Sequence, residues 1–426
     1  MEQATPGLLD GVKVVEFSQN AAVPQCGRLL AGMGADVVKV EPTTGDAMRH
    51  LAPLAENEAR AYATINPGKR AISLDMGADG AQEIIDRLLA WADIALIGLK
   101  VSDLGRFGLD WDRIHDREPS LVVLQFSAYG PEGPESQLGG YDQLVQAVSG
   151  LGFFMDRSKG GVPVGTRPAF VDFASGGYAC AGVLAALRHR DQTGVGQRVD
   201  ASLLGTALNL GNPQMASFDQ DSDGNAELIF EMSMLREAGV DFDGQRAHWE
   251  GRVFAPGGLF ELYVRIFRTT DGLIALSGYS HGLKDKLHDV TGLPRFTPDT
   301  RPGDEAFDAV VDQAEALFLS RSTADWIGDL RAVGYPCSRF NHALEAISEP
   351  QAEANDYVVD LEHQSFGGYR TVGMPFGFSE APTSFTTPSP RLGEHTIEVL
   401  GELGFSPGEQ QSFMSNGTTS GPPVQR

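Results

Sequence analysis

Cysteine is scarce: Cys26, Cys180 and Cys337 are the only three in 426 residues, and no two form a C-x-x-C pair. An odd, widely spaced set excludes a disulfide framework and reads as small buried apolar side chains. The nine histidines show neither H-x-x-x-H nor H-E-x-x-H spacing, so no dedicated metal site is expected. A serine nucleophile on a G-x-S-x-G elbow is not expected either. Basic charge is short. Lysine plus arginine number 33 against 57 aspartate plus glutamate, a net charge of −24, and a surface that acidic repels nucleic acid and anionic membrane. An anionic ligand therefore needs a locally basic pocket. No apolar run reaches the ~18 residues of a membrane span. The start, Met1-Glu2-Gln3-Ala4-Thr5-Pro6, carries no basic or apolar leader region, so a cytoplasmic location is expected.

What is present is an ordinary globular mixture, with 42% hydrophobic and 21% charged residues. The apolar run Val12–Phe17 predicts a buried strand, Pro24–Met33 a helix and Val37–Val40 a second strand. Such a βαβ unit implies a parallel sheet. Further strands are predicted at Ala71–Leu74, Ile94–Ile97 and Leu121–Phe126, with helices at Gly80–Trp91 and Trp111–Asp116. Glu41, ending the second strand, stands where a dinucleotide-binding fold places its ribose carboxylate. The glycine fingerprint is missing, however: the first strand leads into Ser18-Gln19-Asn20-Ala21-Ala22-Val23-Pro24. Gly194-Val195-Gly196 follows a helix and reads as its C-cap and turn.

Tyr178–His189 predicts a strong helix, and Arg198–Ala207 a strand entering another. The polar stretch within 209–247 reads as a linker or surface loop, and Asp271-Gly272 as the turn of a hairpin. Residues 280–333 read as mainly helical, and the tail from Ser415 as disordered. One carboxylate is unusually placed. Asp172 lies in the apolar stretch Phe170-Val171-Asp172-Phe173 just before Gly176-Gly177, where it reads as a helix N-cap or as a desolvated nucleophile.

Several motifs occur in order: Leu9-Asp10-Gly11-Val12-Lys13-Val14-Val15-Glu16-Phe17; Gly34-Ala35-Asp36 through Glu41-Pro42; Gly45-Asp46-x-x-Arg49; Asn66-x-x-Lys69-Arg70; Gly140-Tyr141-Asp142; Val171-Asp172-Phe173; Gly334-x-Pro336-Cys337; Glu349-Pro350-Gln351; and Leu392-Gly393-Glu394-His395-Thr396. As a set over roughly 7–410 they resemble the class III CoA-transferases (the CaiB/BaiF family), a superfamily that also holds α-methylacyl-CoA racemases. The resemblance implies an α/β fold: a Rossmann-like parallel-sheet large domain from both chain ends, a smaller central α+β domain, and two chains interlocked as a homodimer. In this sequence that implies a large domain over 1–210 and 341–414, a linker and small domain over 211–340, and a tail from 415 to 426.

The resemblance implies an acyl-CoA:carboxylate CoA-transferase with acyl-CoA and a carboxylic acid as substrates. Coenzyme A enters as part of substrate and product, and no cofactor is held tightly. Asp172 is then the nucleophile, with an apolar setting and N–H groups at Gly176-Gly177 to support it. Lys69 and Arg106 match CoA-contacting positions. Ala21 and Ala22 match a backbone segment that approaches CoA, and Asn66 and Gly140 fall in the same set. Gly98-Leu99-Lys100 departs from the Asn-aromatic pair of many members. Lys39 and Arg70 read either as further counter-charges or as solvated surface. Tyr141 stands where the racemases carry histidine, and a phenol is a poor base at neutral pH, so transfer is favoured over the racemase alternative. A dimer that binds acyl-CoA without turnover is the third reading. Pro256-Gly257-Gly258 matches a mobile loop over the site or an ordinary turn.

Overall fold

The structure, a computed structural model, describes residues 7–155, 157–212, 214–253, 262–296 and 304–422. Gly257 and Gly258 lie outside them. The chain forms two compact units, one of residues 1–159, 163–217 and 349–426, the other of 160–162 and 218–348. The chain thus leaves the first unit at 217 and returns at 349, against the 210 and 341 expected from sequence.

The first unit is built on a seven-stranded sheet. Its strands are β1 (Lys13–Phe17), β2 (Asp36–Glu41), β3 (Arg70–Leu74), β4 (Ile94–Ile97), β5 (Val122–Ser127), β6 (Arg198–Ser202) and β7 (Thr419–Ser420). They lie in the order β6-β5-β4-β1-β2-β3-β7, all parallel except β7. β1 is central, with β2 and β4 on either side, so the connections leave it in opposite directions and open a crevice at its carboxyl end.

Strand alternation decides which layer each side chain enters. Val15 and Phe17 of β1 join Val38, Ile72, Ile97 and Val123 in a core closed by α2 (Ala81–Trp91) through Ile84, Ile85, Leu88 and Leu89. Val14 joins Leu96 and Leu124 on the other face, under α1 (Ala22–Gly32) and the long helix α5 (Phe170–Thr193). Two shorter helices complete that layer, α4 (Asp142–Val148) and α6 (Leu203–Leu210); Trp111–Arg117 is α3, on the opposite face.

α1 and α5 pack side by side with the same sense. A Cβ on Gly176 would stand 2.7 Å from the Ala22 carbonyl oxygen and 2.6 Å from Gln25 Cβ, so only glycine permits this approach. One turn further on, the Cys26 and Cys180 thiols are in hydrogen-bonding contact. α5 ends as expected, with Gly194 as its left-handed C-cap at φ 76°.

The second unit holds the predicted hairpin, Ile266–Arg268 with Leu273–Leu276, extended by Cys337–Arg339 into an antiparallel sheet. Helices His281–Thr291, Glu305–Phe318 and Thr323–Ala332 cover it around Phe267, Phe318, Trp326 and Tyr335.

Four expectations need correction. The stretch taken as a linker is helical over Ser222–Glu237 and from Phe242, because Asp223 in the first turn complements the dipole and good helix formers follow. The G-x-S-x-G spacing does occur, at Gly278-Tyr279-Ser280-His281-Gly282, but Ser280 there is an N-cap accepting from the Leu283 N–H. α5 is long and apolar enough to cross a membrane, with mean hydropathy 1.5; here Val171, Gly176, Cys180 and Val183 are buried in a protein core. Finally, the tail beyond Ser415 is ordered through residue 422. β7 pairs antiparallel with β3, Asp75 N–H donates to the Thr418 carbonyl at 2.8 Å, and Thr396 Oγ1 donates to the Ser420 carbonyl at 2.9 Å.

Truncation after Ser415 removes several hydrogen bonds of roughly 1 kcal/mol each, so stability falls by about 3 kcal/mol. The midpoint of urea unfolding measures this; an unchanged midpoint would contradict the pairing.

Candidate active site

The crevice at the carboxyl end of β1 is a cavity of about 330 Å³. Ser18 and Gln19 line it after β1, Glu41 and Pro42 after β2, Asp75 to Gly77 after β3, and Leu99, Arg106 and Phe107 after β4. Gly98 lies against the loop leading into α1: a Cβ there would meet Val23 at 2.9 Å and Ser18 at 3.0 Å. Lys100 follows, exposed, with its stem 3.3 Å from the Cβ position of Gly139. Neither Lys100 nor Arg106 forms an ion pair among the described residues, and Arg106 lines the crevice.

Ala21 and Ala22 begin α1. No side chain caps this helix, and the N–H groups of Ala21, Ala22 and Val23 take no hydrogen-bond acceptor among the described residues. Three donors at a helix N-terminus suit an anion or a developing oxyanion.

Asp172 lies in the first turn of α5, not at its N-cap, which is Ala169 without a capping side chain. Gly176 sits against Ala22, and the parallel register one turn back brings Asp172 beside the loop before α1. Its own N–H donates to Asp142 Oδ2 at 3.0 Å. Asp142 is buried at the start of α4 and is held from its other oxygen by the Gln146 amide. Burial, with the Asp142 carboxylate beside it, pushes Asp172 up to about 7. Among the described residues no cation is bonded to it. A carboxylate left without a counter-ion is poised for attack on an electrophile.

Other sequence-predicted residues fall elsewhere. Lys69 and Asn66 are buried, and Lys69 Nζ already donates to Glu16 Oε2, the Pro24 carbonyl and Asn66 Oδ1, each at 2.8 Å. An ammonium has three protons, so none remains for a phosphate. Lys39 is no surface charge either; it is buried against Glu16 at 2.9 Å and Asp46 at 3.0 Å. Arg70 binds Asp36, Glu398 and Glu402. Glu41 is saturated by Arg49, Tyr62 and the Asp46 N–H, which removes it as a ribose partner. Gly176 and Gly177 lie in the second turn of α5, where their N–H groups serve the helix, so they cannot be the expected donors.

Gly140 is a packing residue, since a Cβ would stand 2.7 Å from that of Ala128. It sets the N-cap of α4, Tyr141, whose ring is 68% exposed and whose hydroxyl makes no hydrogen bond among the described residues. The residue beside Asp172 is therefore Asp142, which sequence reasoning passed over in favour of its neighbour. Its signal was its place at the start of a helix in the same motif. Among the described residues no cluster of three His, Cys, Asp or Glu side chains is arranged to hold a metal.

A family model described as CoA-transferase family III matches residues 9–396. Formyl-CoA:oxalate CoA-transferase of Streptomyces avermitilis is 30% identical, over 96% of this chain and 98% of that protein. (R)-2-hydroxy-4-methylpentanoate CoA-transferase of Clostridioides difficile is 29% identical, over 95% and 98%. Among solved structures, a CaiB/BaiF family protein from Brucella suis is 26% identical with a TM-score of 0.71, covering 94% of this chain and all of that one (100%).

The raised value of Asp172 ties stability to pH. The folded state keeps this proton up to about 7, whereas an ordinary aspartate carboxyl loses it near 3.8. Between those values the folded state binds more protons, so this group's contribution falls as pH rises. Asp172→Asn is expected to melt above the wild type at pH 8, with the difference narrowing through pH 5 and closing near the ordinary value of 3.8. A constant difference in thermal scans would count against the desolvated carboxylate.

Proposed function

The chain belongs to CoA-transferase family III, and from that premise we propose that it moves coenzyme A between carboxylic acids by covalent catalysis at Asp172. The observation that carries the reading is a half-buried carboxylate to which no cation is bonded among the described residues, beside a loop whose N–H groups are free and which itself lines a crevice holding Arg106. The crevice and loop suit the nucleotide and thioester of an acyl-CoA. Arg106 and Lys100 offer counter-charge to its phosphates in a protein of net charge −24.

In the first step an Asp172 oxygen attacks the thioester carbonyl, the C–S bond breaks, and coenzyme A leaves as thiolate. That thiolate attacks Asp172 Cγ of the mixed anhydride, forming an aspartyl thioester and freeing the donor carboxylate. The acceptor carboxylate attacks the aspartyl carbonyl and expels the thiolate, which then attacks the acceptor acyl group. The new acyl-CoA leaves, and the Asp172 carboxylate is restored. Each tetrahedral stage carries an oxyanion, for which the N-terminus of α1 supplies preorganised donors. Water exclusion matters, because both the anhydride and the aspartyl thioester hydrolyse.

The racemase alternative is not favoured: the relatives named are transferases, and no histidine accompanies Tyr141. The reading includes a homodimer, interlocked as the family resemblance implies. It is supported by the exposed apolar side chains Tyr141, Leu144, Val148, Phe173 and Tyr178 around the nucleophile. It also includes a cytoplasmic location, supported by three free thiols.

Incubation with succinyl-CoA and a panel of short acyl-CoAs, followed by peptide mapping, is expected to show a CoA-sized, hydroxylamine-sensitive adduct on the peptide holding Asp172. Asp172→Ala abolishes it and lowers turnover by at least about 10³-fold. α-Proton exchange in heavy water without an adduct would return the racemase reading. The carboxylate form is the nucleophile, so kcat/KM is expected to fall below about pH 7. Asp142→Asn removes the neighbouring charge and moves that acid limb to lower pH; an unmoved limb would remove Asp142 from the account.

A further inference from the structure

Beneath the loop that joins β1 to α1 lies a buried ionic group of Glu16, Lys39, Asp46 and Lys69. Glu16 and Lys39 are paired residues of neighbouring central strands, pointing into the layer under α1. α1 passes so closely over them that a Cβ on Gly27 would stand 2.1 Å from Glu16 Oε2. Glu16 gives one oxygen to each lysine, Oε1 to Lys39 at 2.9 Å and Oε2 to Lys69 at 2.8 Å. Burial opposes its ionisation, yet the two ammoniums hold it down at about 2.

Each ammonium spends one proton on backbone, Lys39 in the loop and Lys69 in the first turn of α1 that the loop enters. Lys39 donates to the Ser18 carbonyl at 2.8 Å, and Lys69 to the Pro24 carbonyl at 2.8 Å. Between these anchors the Asn20 N–H donates to Asp46 Oδ1 at 3.2 Å, and Asn20 holds φ 68°, a strained value for a residue other than glycine. Segment 18–24 is therefore tied from below at both ends and near its middle, while its Ala21, Ala22 and Val23 N–H groups stay free. A buried ionic group is a costly way to gain stability, since apolar side chains of similar size serve as well or better. What it supplies is a fixed loop.

We propose that Lys39 and Lys69 are positioning residues that hold the β1–α1 loop in its acyl-CoA-binding shape without touching the ligand. The proposal rests on the reading above that acyl-CoA lies over this loop.

Two charge-balanced double variants of the full chain test it. Glu16→Gln with Lys69→Met releases the Pro24 carbonyl, and Lys39→Met with Asp46→Asn releases that of Ser18. The readouts are hydrogen exchange of residues 18–26, calorimetric affinity for free coenzyme A, and kcat and KM with succinyl-CoA or whichever acyl-CoA labels the wild type. Faster exchange confined to this segment is expected, with coenzyme A affinity weakened about tenfold and the loss falling mainly on KM. A merely structural role would lower the melting temperature without that split. Unchanged exchange in either folded variant overturns the clamp. Faster exchange with unchanged affinity overturns the proposal while leaving transfer at Asp172 intact. Should neither variant fold, wild-type exchange with and without coenzyme A decides: protection of 18–26 supports the proposal, and none overturns it. Absence of the Asp172 adduct in the wild type is a separate result and counts against the transfer reading itself.

Discussion

Everything at the candidate site depends on how closely α1 is held between the central sheet and α5. Two glycines set that distance: Gly27 lets the helix ride over the Glu16 carboxylate, and Gly176 lets α5 lean on the Ala22 carbonyl. A Cβ at either place would meet an atom well inside contact distance. The helix and the strands beneath it are close-packed, so a shift of α1 is transmitted rather than absorbed. The loop before α1 and the first turn of α5 are therefore fixed together. That is how a carboxylate some 150 residues downstream of β1, Asp172, comes to lie beside the loop that follows β1.

Charge is managed differently in two adjacent places. Under the loop, Glu16 and Asp46 are balanced by Lys39 and Lys69, and beside them Arg49 joins Glu41 and Glu58. These ions are paired because an unpaired charge there would be far too costly. Asp172 is the contrast. Its raised value comes first from burial and then from another carboxylate, Asp142, with no cation bonded to it among the described residues. The buried lysines and Arg49 are consumed by structure, whereas Arg106, which lines the crevice, forms no ion pair among the described residues.

Much of the large unit was legible from sequence because β strands buried on both faces leave continuous apolar runs. Ile94–Ile97 matches its predicted bounds, and β1, β2, β3 and β5 differ only at their ends. Asp172 was legible as a carboxylate in an apolar setting. The assignment of Lys69 and Asn66 to ligand contact failed because a motif shows that a residue matters and not which way it points. A stronger signal was available: Glu16 and Lys39 each interrupt an apolar strand, and opposite charges at buried positions of adjacent strands demand each other. The tail was misjudged because its polar composition resembles disorder, while its order comes from the exposed edge of β3, some 350 residues away in sequence. Asp142 was missed for the same reason, since only the tertiary fold sets it against α5.

The ionisation of Asp172 illustrates the compromise that this architecture reaches. A carboxylate nucleophile has to be ionised, yet a well-solvated or ion-paired carboxylate is a poor one. Had a lysine from the ionic group reached Asp172, its charge would be secured and its reactivity blunted. At a value of about 7 the group is half ionised at neutral pH. Waiting for the charged form then costs a factor of about two in rate. In return the oxygen keeps the basicity of a desolvated carboxylate. The like charge of Asp142 deepens that state while its Oδ2 accepts the Asp172 N–H, so one side chain both orients this carboxylate and keeps its charge from being stabilised.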